Sequence, residues 1–473
     1  MKGRKLLLLF AILAAGGLIE AAFALRLRFD VGPTGIRLLG GRFYGPSFEF
    51  TQQEQIEPSP EPLRLRVNNA FGQVRVTGGP PGAPRVTLRK VIFQATREQA
   101  SRFADRLHLE TRHDGPLVTL TTNRDALERG VGRDVGFETH LEVVVPAGVD
   151  VEIDNAHGAV EVRDAGAVRV RGSYEPVVVE RAAGNVRIKQ RHGSVRVVQV
   201  AGGLRVRSRH ASVDVERVTG AVDLDLHRAD VRLSDSGPAD VQMRYGALHA
   251  ERLAGRLVVR GRQAQVTAAH IEGHVDVKTS HRPVELRAVS GDVAVDSTRG
   301  RVHVEAVRGR LSVSATYGDI RLSDIAGALD VDVRHGSLRA HDTRGGGQVK
   351  ASGDDVHLEG FRGPFEIVAG HADVHLTPGE PLLSRLQVSS RRGDIHLGVP
   401  AGSRFNIEAA TERGRLTGFD LPGLALDTIS SRRAAGRLGD GGNIVRLHTR
   451  RGDIVIEVRD EPARKRNVPA AGS

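Results

Sequence analysis

The chain has 473 residues, a formal net charge of +11 at pH 7, no Cys, no Trp and only 4% aromatic residues. The absence of Cys excludes disulfides and thiolate metal sites. A chain of this length either divides into several domains or extends along one axis by repetition. Abundant Gly and a Val-rich apolar set favour many short strands joined by tight turns. The positive charge favours anionic partners in general.

The N-terminus resembles an export signal. Lys2, Arg4 and Lys5 precede an apolar run over residues 6–19, and Ala22-Phe23-Ala24 forms a small-residue cleavage pattern. Residues 1–24 therefore predict a signal peptide cleaved after Ala24 or, if uncleaved, an N-terminal membrane anchor. Both alternatives place the rest of the chain outside the cytoplasm, in the periplasm or at the cell surface.

Residues 25–62 are predicted to form a juxtamembrane segment and a Pro-rich linker, because "QQEQIEPSPEP" favours extended polyproline II. Residues 63–150 then predict an N-terminal cap region with one helix at 95–108. Thr96 and Gln99 fit a capping box, and Ala100, Phe103 and Leu107 recur at helical spacing. We expect this helix to cover one end of the core.

Residues 151–376 repeat with a period of 18 residues, in which two short strands alternate with two turns. The first strand positions follow at intervals of 18, with a single 17: Val177, Val195, Val213, Val231, Leu248, Val266, Val284, Val302, Ile320, Leu338, Val356 and Val374. A second series lies midway: Val168, Val186, Leu204, Val222, Val241, Leu257, Val275, Val293, Leu311 and Leu329.

Such a unit has one apolar side per strand, so it must stack on copies of itself. The sequence therefore predicts an all-β, single-chain parallel β-solenoid (β-helix) with about 18 residues per coil, wound right-handed by analogy with parallel crossovers. Leu204, Val206 and Ser208 should point inward, and Arg205 and Arg207 outward. An all-β sandwich is the competing fold, but hairpins do not keep an 18-residue register.

The end of the chain departs from the repeat. Residues 377–458 predict irregular C-terminal coils and a cap that includes "PGLALDTISSRRAAGRLGDGGN", and residues 459–473 a disordered basic tail. Caps at both ends would block end-to-end strand pairing, which argues against a self-assembling envelope scaffold.

A repeated G-D-[I/V] phrase occurs at Gly291-Asp292-Val293, Gly318-Asp319-Ile320, Gly393-Asp394-Ile395 and Gly452-Asp453-Ile454. With "LEVVVPAGVDVEIDNAHGAVEV" and "IVRLHTRRGDIVIEV", it resembles the bacterial putative-adhesin β-strand-repeat family over about residues 63–458. The resemblance implies an exported or membrane-anchored envelope protein with a β-helix fold and no known catalytic residues. The GGxGxD turns of calcium-binding β-rolls are missing, so no calcium ladder is expected.

Several patterns have both a functional and a structural interpretation. Arg392-Gly393-Asp394 and Arg451-Gly452-Asp453 spell RGD, which the repeat's own turn phrase explains. Outward positions Arg339, His357, His375 and His396 predict an imidazole row that would hold a metal or sense pH, or simply a solvated face. A turn column is expected to stack planar groups along the edge: His192, His210, Arg228, Tyr245, Gln263, His281, Arg299, Tyr317, His335 and His371.

Catalysis is not expected, because the outward acids Asp214, Asp276, Glu285 and Asp330 do not form one column, as a carbohydrate-active β-helix enzyme would require. No cofactor or metal is expected either. A basic face is the candidate binding site, with six outward cations on three successive strands: Arg169, Arg171, Arg187, Lys189, Arg205 and Arg207.

Crowded cations repel one another unless a polyanion offsets them, so anionic polysaccharide or lipid headgroups of the envelope are the expected ligands. A solvated face that discourages aggregation is the alternative. Nucleic acid is not expected, because no aromatic residues interleave for base stacking. The sequence thus favours a noncatalytic, extracytoplasmic β-solenoid with a structural or adhesion-like role.

Overall fold

The computed structural model describes residues 30–32, 35–38, 41–44, 46–56, 63–131 and 135–459. The signal peptide or anchor predicted at 1–24 and nearly all of the predicted tail lie outside the described residues. Two compact units divide the chain, Met1–Lys189 and Gln190–Ser473, and each is described by itself.

Unit 1 contains strands that pair mostly in two ladders. They are β1 (Asp30–Gly32), β2 (Gly35–Leu38), β3 (Gly41–Tyr44), β4 (Ser47–Gln55), β5 (Arg64–Phe71), β6 (Val74–Gly79), β7 (Arg85–Phe93), β8 (Leu109–Asp114), β9 (Leu117–Thr122), β10 (Gly136–Pro146), β11 (Asp150–His157), β12 (Val160–Arg163), β13 (Val168–Gly172), β14 (Val177–Ala182) and β15 (Val186–Gln190), whose last residue is the first of unit 2.

The order β4-β7-β10-β6-β12-β14 forms one ladder of unit 1, and β8-β9-β5-β11-β13-β15 forms the other. Pairing is antiparallel among β4, β7 and β10 and between β8 and β9, and it becomes parallel from β6 and β5 onward. β1, β2 and β3 make a separate antiparallel sheet. The edge strand β8 exposes Glu110, Arg112 and Asp114, charges that discourage pairing with another strand.

The predicted helix is present as α1 (Arg97–Arg106). Its N-cap is Thr96, whose hydroxyl accepts a hydrogen bond from the backbone N–H of Gln99 at 3.3 Å. The buried face contributes Ala100 and Phe103 to a cluster with Ile92 of β7 and Phe137 of β10. The helix therefore covers apolar residues of the antiparallel strands, as its spacing predicted.

A second helix, α2 (Arg124–Val131), was not predicted. Leu127 is its one buried apolar residue among those whose side chains are described, so the segment has no apolar stripe at helical spacing. Its other buried side chain is Arg124, which lies over the rings of Phe71 and Phe137 and donates to the Phe137 carbonyl oxygen. Burial lowers the pKa of Arg124, although the nearby carboxylate of Glu128 opposes the shift. Because Arg124 takes a buried position where an aliphatic residue would be expected, the spacing of apolar residues did not predict this helix.

The predicted linker begins with structure. Gln52 to Gln55 belong to β4, which pairs antiparallel with β7, and Ile56 is buried. The linker interpretation is therefore wrong for residues 52–56. Exposed and half-buried residues alternate along β4, so the strand has no strongly apolar face. Its pairing with β7 holds it in place.

Unit 2 is a parallel β-solenoid. Its strands are β16 (Val195–Val200), β17 (Leu204–Arg209), β18 (Val213–Val218), β19 (Val222–His227), β20 (Val231–Ser236), β21 (Ala239–Leu253), β22 (Leu257–Ile271), β23 (Val275–Thr279), β24 (Val284–Val289), β25 (Val293–Arg299), β26 (Val302–Val307), β27 (Leu311–Tyr317), β28 (Ile320–Ile325), β29 (Leu329–His335), β30 (Leu338–Thr343), β31 (Gly347–Ala351), β32 (Val356–Phe361), β33 (Phe365–Ala369), β34 (Val374–Pro378), β35 (Leu386–Ser390), β36 (Ile395–Pro400), β37 (Phe405–Arg413), β38 (Leu416–Thr417), β39 (Leu424–Ile429), β40 (Arg433–Leu438), β41 (Ile444–Arg451) and β42 (Ile454–Arg459).

From β16 to β36, each strand pairs in parallel with a strand one coil away, for example β23 with β25 and β24 with β26. The predicted inward residues are buried: Leu204 is 2% exposed, Val206 0% and Ser208 4%. Arg205 and Arg207 point outward as expected. The all-β parallel solenoid with about 18 residues and two strands per coil is therefore confirmed, and its handedness stays a prediction.

One position of the predicted repeat is wrong. Val222 pairs in register with Ala239, and Val241 pairs with Val259 two residues further along the strand. The coil here is one residue short, and the small Ala at the first position was not recognised as a strand start. In this region β21 and β22 each run 15 residues through the corner between the two faces, so two short strands merge into one.

The turns explain the G-D-[I/V] phrase. Gly318 has φ of +138°, and a Cβ there would lie 2.2 Å from the carbonyl oxygen of Gly300 one coil away, so a side chain has no room. The next residue, Asp319, accepts hydrogen bonds from the backbone N–H and hydroxyl of Ser337 at 3.3 and 2.9 Å. The phrase therefore supplies close backbone stacking and a carboxylate that bonds to the next coil.

The stretch expected to be irregular near the C-terminus forms strands. β39 and β40 are antiparallel, β40 pairs antiparallel with β37, and β37 pairs in parallel with β41. The chain then returns to the stack, where β41 pairs with β35 and β42 with β36. The stretch within residues 401–443 is therefore not without regular structure, but it departs from the 18-residue repeat, because β35 and β36 pair with β41 and β42 beyond it.

Candidate polyanion-binding surface

Four of the six predicted cations lie on two neighbouring strands of unit 1. Arg169 is paired in register with Arg187, and Arg171 with Lys189, so the four side chains form a two-by-two array on β13 and β15. All four are exposed. Strands in such a ladder are about 4.8 Å apart, which places like charges side by side.

Carboxylates on the preceding coil partly neutralise this array. Glu152 and Asp154 of β11 pair in register with Arg169 and Arg171. Arg171 Nη1 lies 3.0 Å from Asp154 Oδ2, and Arg169 Nη1 lies 3.7 Å from Glu152 Oε1. Burial alone would raise the pKa of Glu152, but hydrogen bonding from Arg66 and the charges of these arginines leave that pKa below its usual range. Two of the six cations therefore have anionic partners that the sequence analysis missed.

The sequence pattern of β11 could have predicted these two acidic partners. Val151 and Ile153 alternate with Glu152 and Asp154, one coil of 17 residues before Val168. In contrast, Arg187 and Lys189 form no ion pair with any described residue. Within the two-by-two array, the cations without an ion pair therefore lie on β15.

The other two predicted cations lie on β17 of unit 2. Arg205 and Arg207 pair in register with Asp223 and Asp225 of β19. The Arg205 Nε atom lies 2.8 Å from an Asp223 oxygen, and Arg207 Nε lies 3.9 Å from an Asp225 oxygen. The expectation of six mutually repelling cations is therefore wrong for these two residues as well, because the coil that ends the basic run also supplies its counter-charges.

The predicted imidazole row lies on one face of unit 2. Arg339, His357, His375 and His396 occupy equivalent positions on β30, β32, β34 and β36. The rings of His357 and His375 are stacked with centroids 4.6 Å apart, and those of His375 and His396 with centroids 4.7 Å apart. The sequence spacing from His375 to His396 is longer than 18 residues, but the two remain in register because the additional residues lie between β34 and β36. Among the described residues, no group of three His or acidic side chains has metal-binding geometry.

The predicted turn column stacks in part. Tyr317 and His335 rings are parallel with centroids 4.7 Å apart, and the guanidinium of Arg299 lies over the Tyr317 ring. Earlier in unit 2, His192 stacks on His210. Planar groups therefore line this edge as expected, with His227 also taking part in ring contacts.

The RGD sequences are structural turns. Asp394 accepts a hydrogen bond from the backbone N–H of Asp453 at 2.7 Å, and Asp453 accepts one from Arg415 at 2.8 Å. Both carboxylates thus connect adjacent coils, which supports the turn interpretation over receptor recognition.

Outward carboxylates serve mainly as partners of arginine. Asp214 lies 2.6 Å from Arg196, and Asp276 lies 2.6 Å from Arg260. In Asp164 and Asp235, hydrogen bonding from Arg181 and Arg252 lowers the pKa of the carboxyl group. A general acid of a glycosidase needs the opposite shift. These acids are therefore suited to stabilising ion pairs.

The fold and the exposed charge rows define a parallel β-solenoid with a charged, periodic surface. Residues 262–457 match the model of the family described as Toastrack DUF4097, which confirms the predicted resemblance to a β-strand-repeat family over that range. A solved structure of a putative cell adhesion protein from Clostridium sporogenes aligns with 87% of this chain and all of its own, at 7% identity and a TM-score of 0.16. That score is too low to support an argument. No curated protein matches the chain.

Among the described residues, no helix is long and apolar enough to cross a membrane.

Proposed function

We propose that this chain is an exported, noncatalytic β-solenoid that acts as an adhesion-like interaction module of the cell envelope and binds anionic polymers. Export is inferred from the basic and apolar pattern of residues 1–24. The pairing of outward acids with arginine, and their lowered pKa values, support a noncatalytic role. The adhesion-like role follows the resemblance to the β-strand-repeat family.

One observation carries the choice of an anionic ligand. Arg187 and Lys189 are exposed, form no ion pair with any described residue, and lie directly beside Arg169 and Arg171. Guanidinium groups match carboxylates, phosphates and sulfates geometrically, and an incoming polyanion would relieve the repulsion between adjacent cations. The alternative is a solvated face with no ligand, and the experiment decides between the two.

The experiment compares the purified full chain with a variant in which all six predicted cations become Ser. Binding is measured to polygalacturonate, heparin and vesicles containing phosphatidylglycerol, at low and high salt. Weaker binding by the variant than by the wild type, together with weakening of wild-type binding by salt, is expected. The soluble glycans and the vesicles distinguish polysaccharide from lipid headgroups as the source of the anion.

A matched control removes the same number of charges from exposed cations of unit 2 outside the six predicted positions, each of which has an acidic partner. These are Arg196, Arg252, Arg260, Lys278, Arg287 and Arg344. If net charge alone drives binding, the control loses binding as fully as the six-residue variant, and the proposed site is wrong. Unchanged polyanion binding by the six-residue variant also contradicts it.

A further inference from the structure

A longer cationic row than the sequence indicated runs along unit 2. We name it the His–Arg row: six outward residues at equivalent positions on six consecutive coils, namely His303, Arg321, Arg339, His357, His375 and His396. The 18-residue spacing from 303 to 375 was available in the sequence, but His303 and Arg321 were not connected with the other four.

The two arginines of the row line a groove. Its volume is about 480 Å³, and its walls include His303, Arg321, Arg339 and His357. Ser323, whose side chain is shorter than the arginines and imidazoles, also lines this space. The groove therefore presents two guanidinium groups on adjacent coils, with imidazoles at its two ends.

Neither Arg321 nor Arg339 forms an ion pair with any described residue. Other arginines of unit 2, such as Arg196, Arg252 and Arg260, each pair with an acid. Glu359, the one carboxylate lining the groove, lies 3.8 Å from His341, which also lies 3.5 Å from Asp342. The guanidinium groups are exposed, so their hydrogen-bond donors are available to an anion from solution.

Acidic residues lie on both sides of the row. Asp319, Asp355 and Asp373 each come two residues before a row member, in the turn that precedes its strand, and Glu305 and Glu359 each come two residues after one, on the same strand. The positive potential is therefore narrow across the strands and extended along the solenoid axis. A broad anionic surface such as a membrane would meet these carboxylates, whereas a single polymer chain placed along the row would avoid them.

We propose that the His–Arg row binds a linear acidic polysaccharide, whose carboxylate or sulfate groups contact Arg321 and Arg339, and that protonation of the row's imidazoles strengthens this binding in acid. This row is separate in sequence from the six cations of the proposed function. Either can fail while the other holds.

The geometry of the imidazoles supports the pH dependence. His357, His375 and His396 are half-buried and stacked, so charge on one ring is felt by the next. Burial, followed by repulsion from His357 and His396, lowers the pKa of His375, while Asp355 and Asp373 oppose the shift. Other charged or titratable groups on the neighbouring strands and turns include Arg339, His341, Glu359 and Asp394. Beside His396, β42 adds Glu457, and the turn before it adds Asp453. An anion on the row would favour the protonated rings and so bind more tightly as pH falls.

The test uses the full chain and polygalacturonate, with binding measured at pH 7.5 and 5.5 in low salt. Wild-type affinity should rise about tenfold at pH 5.5, because positive charge gained by the row contributes a small, screened attraction to the polyanion. The variant Arg321→Ser/Arg339→Ser should lose affinity at both pH values. The variant His357→Gln/His375→Gln/His396→Gln should keep the affinity of pH 7.5 and lose the increase.

Matched controls separate the row from net charge. Arg196→Ser/Arg252→Ser removes two arginines that have acidic partners, and His210→Gln/His281→Gln/His335→Gln removes three turn imidazoles. Both controls should bind as the wild type does, and circular dichroism should show intact strands in every variant. Wild-type affinity in the double Arg variant, or a full pH response in the triple His variant, overturns the proposal. Binding to phosphatidylglycerol vesicles without binding to the glycan also overturns it, in favour of a membrane ligand.

Discussion

The register of the solenoid makes a strong prediction at two neighbouring residues of β25. Val295 is 3% exposed and lies in register between Val277 and Val313, whereas the preceding Ala294 points to solvent beside Asp276. The substitutions Val295→Asp and Ala294→Asp introduce the same side chain one residue apart, on opposite sides of the sheet. Their difference in stability therefore reports mainly on which of the two positions is buried.

The expected magnitude follows from two contributions. Losing the buried Val side chain costs about 1.5–3 kcal/mol. The introduced carboxyl has no partner in the aliphatic core, and a pKa raised by about 3 units corresponds to about 4 kcal/mol at neutral pH. Val295→Asp should thus destabilise the protein by about 5–7 kcal/mol, a large part of the stability of a typical domain. Ala294→Asp should cost less than about 1 kcal/mol, from repulsion by Asp276.

Urea denaturation followed by circular dichroism checks the difference, because loss of strand signal reports directly on the coils. The pH dependence gives a second criterion. The introduced buried carboxyl has a raised folded-state pKa, so the folded state binds its proton more tightly than the unfolded state. The penalty should therefore be largest above that folded pKa and shrink as pH falls toward the unfolded value of about 3.9. Equal destabilisation by the two substitutions would refute the assigned register.

Three further predictions address the turns and the N-terminus. Gly318→Ala should destabilise unit 2 by more than the roughly 1–3 kcal/mol of backbone strain, because its Cβ would meet the Gly300 carbonyl. Thermal denaturation measures the effect, and Gly82→Ala is the control, because Gly82 has a positive φ but open space around it. Equal destabilisation by the two substitutions would contradict the clash. Hydrogen bonds from Ser337 lower the pKa of Asp319, so this residue should stabilise the fold above its unfolded pKa of about 3.9 and lose that effect as pH falls through its lower folded pKa. Asp319→Ala should therefore remove this part of the pH dependence of the melting temperature. An unchanged pH profile in the variant would show that these hydrogen bonds contribute nothing to stability. Cleavage after Ala24 predicts Leu25 at the N-terminus by intact-mass analysis of the exported protein, whereas a full-length product in the membrane fraction would favour the anchor.

The fold could be predicted largely from local pattern. Alternating Val and polar residues specify which side of each strand is buried, and a constant 18-residue spacing requires stacking of equivalent strands. The prediction was wrong where the local signal was weak. Ala239 begins a strand with a small side chain, and α2 buries Arg124 where an aliphatic residue was expected.

The candidate site was predicted less completely, because the effect of a cation depends on its neighbours in space. Arg169 and Arg171 looked like part of an uncompensated surface until the register placed Glu152 and Asp154 beside them. Arg321, which the sequence analysis did not select, forms no ion pair with any described residue and lines a groove. The strands that carry Arg169, Arg171 and Arg321 have similar alternation of apolar and polar residues, so the sequence pattern alone did not distinguish paired from unpaired arginines.

The sequence by itself determined the repeat, the direction of each strand side chain and the positions of the tight turns, because these depend on residue spacing along the chain. Only the tertiary structure decided which charges are neutralised and which are available, and it also joined the strands around residues 401–443. The physical reason is that an ion pair depends on distances of a few ångströms between strands that lie 17 or more residues apart. A shift of one residue in register exchanges a partner for a repelling neighbour.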